Sequence, residues 1–179
     1  MTEVATTYGQ AMYDLARDEG KSQQILAELS ALDQCLSNEQ DFIQLLSTPN
    51  IPKEERVRIL DDSFRGKIDP YVLNFLKILT EKGYIRHFSG CCKMYRQQYN
   101  QDNGIVPVVA YTAIPLSDEL RRKLTEKLST VTGKTIELDC RIDPETLGGV
   151  RLDWGGKQVD GTVRRRLEDI RSILKNTVL

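Results

Sequence analysis

The hydrophobic pattern changes its period at Gly104, and this change limits the possible folds more than any other feature of the chain. Before Gly104, apolar residues recur at the three-to-four-residue spacing of one helix face. After it, apolar and polar residues alternate in short stretches, which is typical of half-buried strands. The sequence therefore predicts a mainly α protein with a smaller α/β part, divided into residues 1–104 and 105–179.

The first region has the pattern of six short amphipathic helices. The first helix ends near Gly20, and turn residues at 48–50 interrupt the pattern again. Asp69 followed by Pro70 suits the start of the fifth helix, because Asp is a favoured N-cap and Pro is favoured at the first helical position. Short connections between such helices predict an N-terminal six-helix bundle.

The second region predicts a small C-terminal domain of strands and two helices. Residues 105–114 form a β-branched run, and Pro107 places this strand at an edge or at its own start. Ser117 is the expected N-cap of a helix. Further strands are predicted near 136–142 and 150–159, with a turn at Gly155-Gly156. The closing helix has one apolar face made of Val163, Leu167, Ile170 and Leu174.

Composition argues against several classes of partner. Lys and Arg number 25 and Asp and Glu number 26, so the net charge of −1 provides no field to attract nucleic acid or anionic lipid. No apolar run reaches the roughly 18 residues of a membrane helix, and the start lacks the pattern of a secretory signal. The four cysteines include no CxxC pair, so we expect reduced thiols in an intracellular, soluble protein without direct membrane insertion.

A search for catalytic or metal-binding residues identifies none. His87 and Cys91 have the spacing of half a metal site, but no further ligands accompany them. Gly148-Gly149 lacks the surrounding residues of a phosphate-binding loop, and Arg164–Arg166 is followed at once by acidic residues. The sequence therefore predicts a protein that is not an enzyme and that needs no metal or cofactor.

The first and fifth predicted helices combine small and large apolar residues. Packed side by side, they could leave a shallow apolar groove for a helix of another protein. The same residues could instead fill the interior of the bundle, and periodicity alone favours that second interpretation. Both remain open on the residues alone.

Several motifs resemble those of one family. The segment 8–16, YGQAMYDLA, is similar to the YAxALFxLA opening of the delta subunit of F-type ATP synthases, called the oligomycin-sensitivity-conferring protein in mitochondria. Residues 74–79 resemble the NFLxxL of its fifth helix. Residues 112–117 resemble TAxPLS, residues 142–150 resemble VDPxLIGGI, and residues 160–167 resemble the closing DxSxxxxL. The resemblance covers essentially the whole chain, in the family's order, and points to its bacterial members.

This resemblance implies a non-catalytic stator connector that couples proton-driven rotation to ATP synthesis. The N-terminal domain would bind the amino-terminal helix of an alpha subunit, and the C-terminal domain would bind the carboxy-terminal region of the b subunits. The isolated chain would be monomeric, and in the complex it would lie on the cytoplasmic side of the bacterial plasma membrane. The alternatives are an unrelated helical-bundle adaptor and a small enzyme without a recognisable active site.

Transferred residue by residue, the resemblance also implies a binding site for the alpha helix. The C-terminal contact surface is expected on the exposed face of the last helix, while Gly149 and Asp160 are expected to be structural. The residues implied for the groove are Tyr8, Ala11, Met12 and Leu15 on the first helix, and Asn74, Phe75, Ile78 and Leu79 on the fifth.

Overall fold

A computed structural model describes residues 2–146, 148–163 and 165 and shows a mainly helical chain with a small four-stranded sheet, which confirms the prediction of a mainly α protein with a smaller α/β part. The chain separates into two compact units between Tyr99 and Asn100, here called unit 1 and unit 2. The sequence pattern placed the division after Gly104. The carbonyl of Gly104 already accepts a hydrogen bond from the Thr135 N–H, at 3.1 Å, so this residue belongs to the hydrogen bonding of the sheet.

Unit 1 begins with helices whose ends follow local capping rules. The Thr2 hydroxyl accepts the Ala5 N–H at the start of the first helix, and the Asp69 carboxylate accepts the Tyr71 N–H at the start of the fifth. The helices are α1 (Glu3–Asp18), α2 (Ser22–Asn38), α3 (Gln40–Ser47), α4 (Lys53–Phe64), α5 (Pro70–Glu81) and α6 (Phe88–Asp102), with a 3-10 turn at Ile85–His87.

Buried side chains from all six of these helices meet in one apolar core. Fully buried members include Leu29, Leu46, Leu60, Leu76 and Tyr95. Because each helix contributes its apolar stripe to the same interior, the stripes predicted from periodicity are largely explained by packing within unit 1.

Two glycines allow α1 and α6 to approach closely. A Cβ atom built on Gly9 would lie 2.6 Å from the Cys91 carbonyl oxygen and 2.7 Å from the Met94 Cβ. One built on Gly90 would lie 2.8 Å from the Ala5 Cβ. This contact determines how α1 is rotated about its own axis, and therefore which of its residues face away from the core.

Arg56 is a buried cation that the hydrophobic pattern of α4 does not indicate. It is only 6% exposed, and its Nη1 donates a hydrogen bond of 2.9 Å to the Leu46 carbonyl. That carbonyl belongs to the last turn of α3, where a positive charge is favourable to the helix dipole. The positive charge of Arg56 therefore stabilises the C-terminal end of α3 from inside unit 1.

Unit 2 contains β1 (Ile105–Thr112), α7 (Asp118–Thr132), β2 (Thr135–Ile142), a 3-10 turn at Pro144–Thr146, β3 (Val150–Trp154) and β4 (Lys157–Asp160). The strand order is β2-β1-β3-β4, with β1 and β2 parallel and the other pairs antiparallel. Pro107 lies in a central strand, but in its first half. Because β3 pairs with β1 only from Val109 to Thr112, one side of Pro107 has no strand that would require its missing N–H.

The core of unit 2, in the part that the structure describes, is small. Its buried apolar residues are Val108, Ala110, Ile136 and Leu138, and α7 covers them with half-buried leucines. Apolar residues recur along α7 as Leu120, Leu124, Leu128 and Val131, which predicts one buried face, but this prediction is wrong at both ends, where Leu120 is 54% and Val131 is 85% exposed. The helix is rotated so that Arg121 turns toward the sheet and donates to the Leu138 carbonyl at 3.0 Å.

The junction before the predicted last helix is held by short polar contacts. A Cβ on Gly149 would lie 2.5 Å from the Gly161 carbonyl oxygen, so this position requires glycine. The Asp160 carboxylate accepts the Thr162 N–H, and the Thr162 hydroxyl accepts the Arg165 N–H. Gly149 and Asp160 thus have structural roles. Of the face predicted for the last helix, residues Leu167, Ile170 and Leu174 lie outside the described residues, as does the contact surface expected there.

Candidate docking site

Two contacts join α1 to the two ends of α5 and indicate that these helices run in opposite directions. At the C-terminal end of α1, Lys21 Nζ is 3.0 Å from Asp69 Oδ2, just before α5 begins. At the other end, the rings of Tyr8 and Tyr84 meet edge to face with centroids 5.8 Å apart. Because the chain segments between these two contacts are of similar length, residues near the middle of α1 are level with residues near the middle of α5.

The first of these contacts is electrostatically strong. Burial disfavours ionisation of Asp69, but the Tyr71 N–H and the Lys21 ammonium together outweigh it, and the pKa of this carboxyl lies below its usual value. A hydrogen bond with Asp69 raises the pKa of Lys21. A hydrogen bond with the Glu19 carboxylate raises the pKa of the Tyr71 hydroxyl. Several charged groups therefore join the end of α1 to the start of α5.

Five of the eight residues implied for the groove reach the surface. Leu15 is 41% exposed and Ile78 is 36% exposed, Ala11 and Asn74 are also exposed, and Tyr8 is half-buried. Ala11 and Leu15 share one face of α1, and Asn74 and Ile78 share one face of α5, because each pair is four residues apart. We call these five residues the α1/α5 strip.

The other three residues lie in the interior. Met12, Phe75 and Leu79 belong to the core of unit 1, and the ring of Phe75 packs 6.3 Å from that of Phe88. Met12 is displaced by roughly 60° from Leu15 around the axis of α1. Periodicity groups such neighbours on one face, and only the packing against other helices separates inward from outward members. These three residues therefore belong to the core of unit 1 and are not part of the exposed strip.

The carboxylates beside the strip are a feature that the sequence patterns did not single out. Asp14 and Asp18 lie on one side of Leu15 on α1, with side chains 45% and 72% exposed. Charged residues on the polar face of a helix are the ordinary case, so their types carry no signal by themselves. Their significance comes from their position next to exposed apolar side chains.

No arrangement for catalysis accompanies the strip. His87 Nδ1 lies 3.4 Å from the Thr2 hydroxyl, and Cys91 is buried, which raises the pKa of its thiol to about 11. A thiol with so high a pKa is not activated as a nucleophile. Within the described ranges, no group of three His, Cys, Asp or Glu side chains is placed to hold a metal ion. Of the helices described, none has the length and apolar character to cross a membrane.

A cavity of about 1020 Å³ forms an open groove between α2 and α6. Arg96 Nη2 donates to the Ser30 hydroxyl across it at 2.8 Å. Its lining includes one carboxylate, Asp33, and the thiols of Cys35 and Cys92. Burial raises the pKa of the Cys92 thiol, so this groove offers no reactive thiolate at that position.

Comparisons with known proteins match nearly the whole chain to a single family. The family model described as ATP synthase delta (OSCP) subunit matches residues 4–174. The chain is 32% identical over 167 residues to the ATP synthase subunit delta of Clostridium kluyveri, covering 93% of this chain and 92% of that protein. It is 31% identical over 176 residues to the protein of the same name from Alkaliphilus oremlandii, covering 98% of each.

A solved structure supports the fold. The chain is similar, with a TM-score of 0.71 and 19% identity, to a chain in the cryo-EM structure of the Toxoplasma gondii mitochondrial ATP synthase hexamer. The match covers 97% of this chain and 98% of that one. At this level of identity, the likeness establishes the fold alone.

Proposed function

The chain belongs to the ATP synthase delta (OSCP) subunit family, and on this premise we propose that it holds two other subunits of the complex through separate surfaces, one on each unit. The chain is a structural, non-catalytic subunit of F-type ATP synthase that serves as a connector of the peripheral stalk. This membership confirms the family predicted from the motifs and replaces both alternatives, the unrelated adaptor and the small enzyme.

In the proposal, the α1/α5 strip receives the amino-terminal helix of an alpha subunit. The observation that carries it is the pair Leu15 and Ile78, which remain exposed on two helices held together at both ends while the other large apolar residues of those helices are mostly inside. An amphipathic helix laid along such a strip would bury these side chains. The six helices around one core would act as the rigid bundle that presents the strip.

Unit 2 would hold the carboxy-terminal region of the b subunits. Apolar side chains exposed where β1 and β2 end support a partner surface there, since Ile142 is 59% exposed and Ile114 is 73% exposed. The two lie near each other, because Ile142 pairs with Thr112 and the Thr112 hydroxyl donates to the Ile114 carbonyl. Domains 1–104 and 105–179 would thus have one partner each.

The mechanical role sets the physical requirement on both contacts. The rotor exerts torque on the catalytic head, so the link must resist dissociation more than it must form quickly. Two modest interfaces satisfy this requirement if each keeps the other at high effective concentration. The complex would place the chain on the cytoplasmic side of the bacterial plasma membrane, peripheral to it.

A charge placed on the strip tests the alpha contact. Ala11→Asp puts a carboxylate against the apolar face of a docked helix and should weaken binding of an alpha amino-terminal peptide by ~2 kcal/mol, about thirtyfold. Calorimetric titration of the full chain measures this change. Gln10→Asp is the matched control, since it adds the same charge to the same helix roughly 100° away. Equal affinities for both variants would show that the strip does not bind the alpha helix.

Capture from a native membrane extract separates the two surfaces. The unmodified chain should retain both alpha and b subunits, and Ala11→Asp should lose alpha while keeping b. Loss of both subunits by this variant, with its helical circular dichroism unchanged, would show that the two contacts are not on separate surfaces.

A further inference from the structure

The edge of the strip formed by α1 has an excess of negative charge. Arg17 is shared by two carboxylates, with Nη2 3.4 Å from Asp14 Oδ1 and Nε 3.7 Å from Asp18 Oδ1. Glu19 follows at the end of the helix, where the backbone carbonyls add a partial negative charge. Asp14, Asp18 and Glu19 therefore outnumber the Arg17 guanidinium in this part of α1, and Glu19 also accepts a hydrogen bond from the Tyr71 hydroxyl.

The facing helix does not neutralise this charge. Lys77, the cation nearest in level on α5, lies 2.5 Å from Asp61 Oδ1 on α4, and this contact directs it to the opposite flank of α5. Hydrogen bonding to Lys77 lowers the pKa of Asp61, as expected for a close ion pair. Lys21, just after α1, is held by Asp69 at 3.0 Å, so this pair adds no net charge, and Lys82 follows the C-terminal end of α5, level with the N-terminal half of α1. The strip is thus negative at one end.

We propose that the α1/α5 strip selects a basic amphipathic helix and holds its cationic part over the C-terminal half of α1, beside Asp14 and Asp18. This inference rests on the proposed function of the strip and adds the chemistry of its occupant. Charge complementarity argues for it, because lysine or arginine side chains flanking an apolar stripe would meet these carboxylates while the stripe covers Leu15 and Ile78.

A second copy of this chain fits the strip less well. A stable dimer requires roughly 800 Å² of buried surface on each partner. Two half-exposed aliphatic side chains with small or polar neighbours are too few for such an interface. A single narrow helix matches the size of the strip.

The exposed position of the carboxylates predicts a kinetic effect. Exposed charges act mainly through long-range attraction, which increases the rate of association and is screened by salt over roughly 10 Å at 0.1 M. Removing them should slow association and leave dissociation nearly unchanged. Burial of Leu15 and Ile78 should determine how slowly the helix leaves.

The test uses two synthetic helical peptides with the same leucine stripe, one flanked by lysine and the other by glutamate. Association with the full chain is measured by stopped-flow fluorescence at roughly 20 and 200 mM salt. The variant is Asp14→Asn with Asp18→Asn. The control is Glu39→Gln with Asp41→Asn, which removes two exposed carboxylates at the start of α3 and changes the net charge equally.

We expect the lysine peptide to associate about fivefold or more faster than the glutamate peptide at low salt. The Asp14→Asn, Asp18→Asn variant should lose this preference, and the control should keep it. Equal rates for the two peptides, or equal losses in variant and control, overturn the inference and leave the apolar docking of the proposed function intact. Failure of both peptides to bind at any salt, with circular dichroism showing a folded chain, would show that the strip does not bind a helix.

Discussion

In unit 1, buried apolar side chains of six helices meet in one core, whereas in the described part of unit 2 four buried apolar residues lie between a sheet and α7. Unit 1 therefore derives its stability mainly from apolar burial. The sheet of unit 2 relies more on main-chain pairing and on polar contacts. The proposed alpha contact therefore lies on a unit with a large apolar core, whereas the proposed stalk contact lies on a unit with a small one.

The polar contacts of unit 2 centre on Arg151. Its guanidinium lies 4.2 Å from the centre of the Tyr111 ring, and Nη1 is 3.3 Å from Asp143 Oδ2. Tyr111 and Arg151 are partners in the antiparallel pairing of β1 with β3. The cation therefore joins two strands and the loop after β2 on the face of the sheet away from the buried residues.

Two intrinsic probes report on the units separately. Trp154, the single tryptophan, lies in β3 of unit 2. Cys91 is only 1% exposed in unit 1, so it reacts with thiol reagents only when unit 1 opens, whereas Cys35 is exposed in the folded chain. Denaturant unfolding followed by both signals can therefore assign a stability change to one unit.

The largest expected effect comes from a core truncation in unit 1. Leu76→Ala should reduce the free energy of unfolding by about 2–5 kcal/mol, because Leu76 is fully buried and leaves a cavity. Leu120→Ala is the control in unit 2, where the half-exposed side chain should cost less than about 1 kcal/mol. Labelling of Cys91 should become easier only in the first variant. Equal losses for the two variants would show that burial of Leu76 does not account for the effect.

A smaller effect should follow from separating α1 and α6. Gly9→Val introduces a side chain where a Cβ already meets a backbone carbonyl at 2.6 Å, and overpacking of this kind costs about 1–3 kcal/mol. Gln10→Val is the control, since it places the same β-branched residue on the exposed side of α1. Urea unfolding followed by thiol exposure measures both variants. If Gln10→Val proved as costly as Gly9→Val, the close approach of the helices would not be the cause.

The smallest effect is expected in unit 2. Arg151→Gln removes the contacts with Tyr111 and Asp143 and should destabilise unit 2 by about 1 kcal/mol, because the groups are partly exposed. Trp154 fluorescence should report the change, and thiol exposure in unit 1 should not. Arg122→Gln, which breaks an exposed pair with Glu126 on α7, serves as the control and should have less effect. A change in the thiol signal without a change in Trp154 fluorescence would show that Arg151 does not stabilise unit 2.

Much of the fold follows from local signals in the sequence. The starts of α5 and α7 were predicted from Asp69-Pro70 and Ser117, whose side chains accept N–H groups of their own first turns. The strand pattern of unit 2 was likewise apparent from alternation. The inward faces were harder to predict: α7 turned Leu120 outward, and Met12, Phe75 and Leu79 proved to be interior.

The sequence by itself determined where most helices and strands lie, and its motifs identified the family, because capping, periodicity and turn chemistry depend on neighbours along the chain. The tertiary structure alone decided which apolar residues of α1 and α5 face outward. That choice depends on the approach of Gly9 to Cys91 and of Ala5 to Gly90, between residues far apart in sequence. Close packing admits one rotation of α1, and this rotation leaves Leu15 exposed instead of buried.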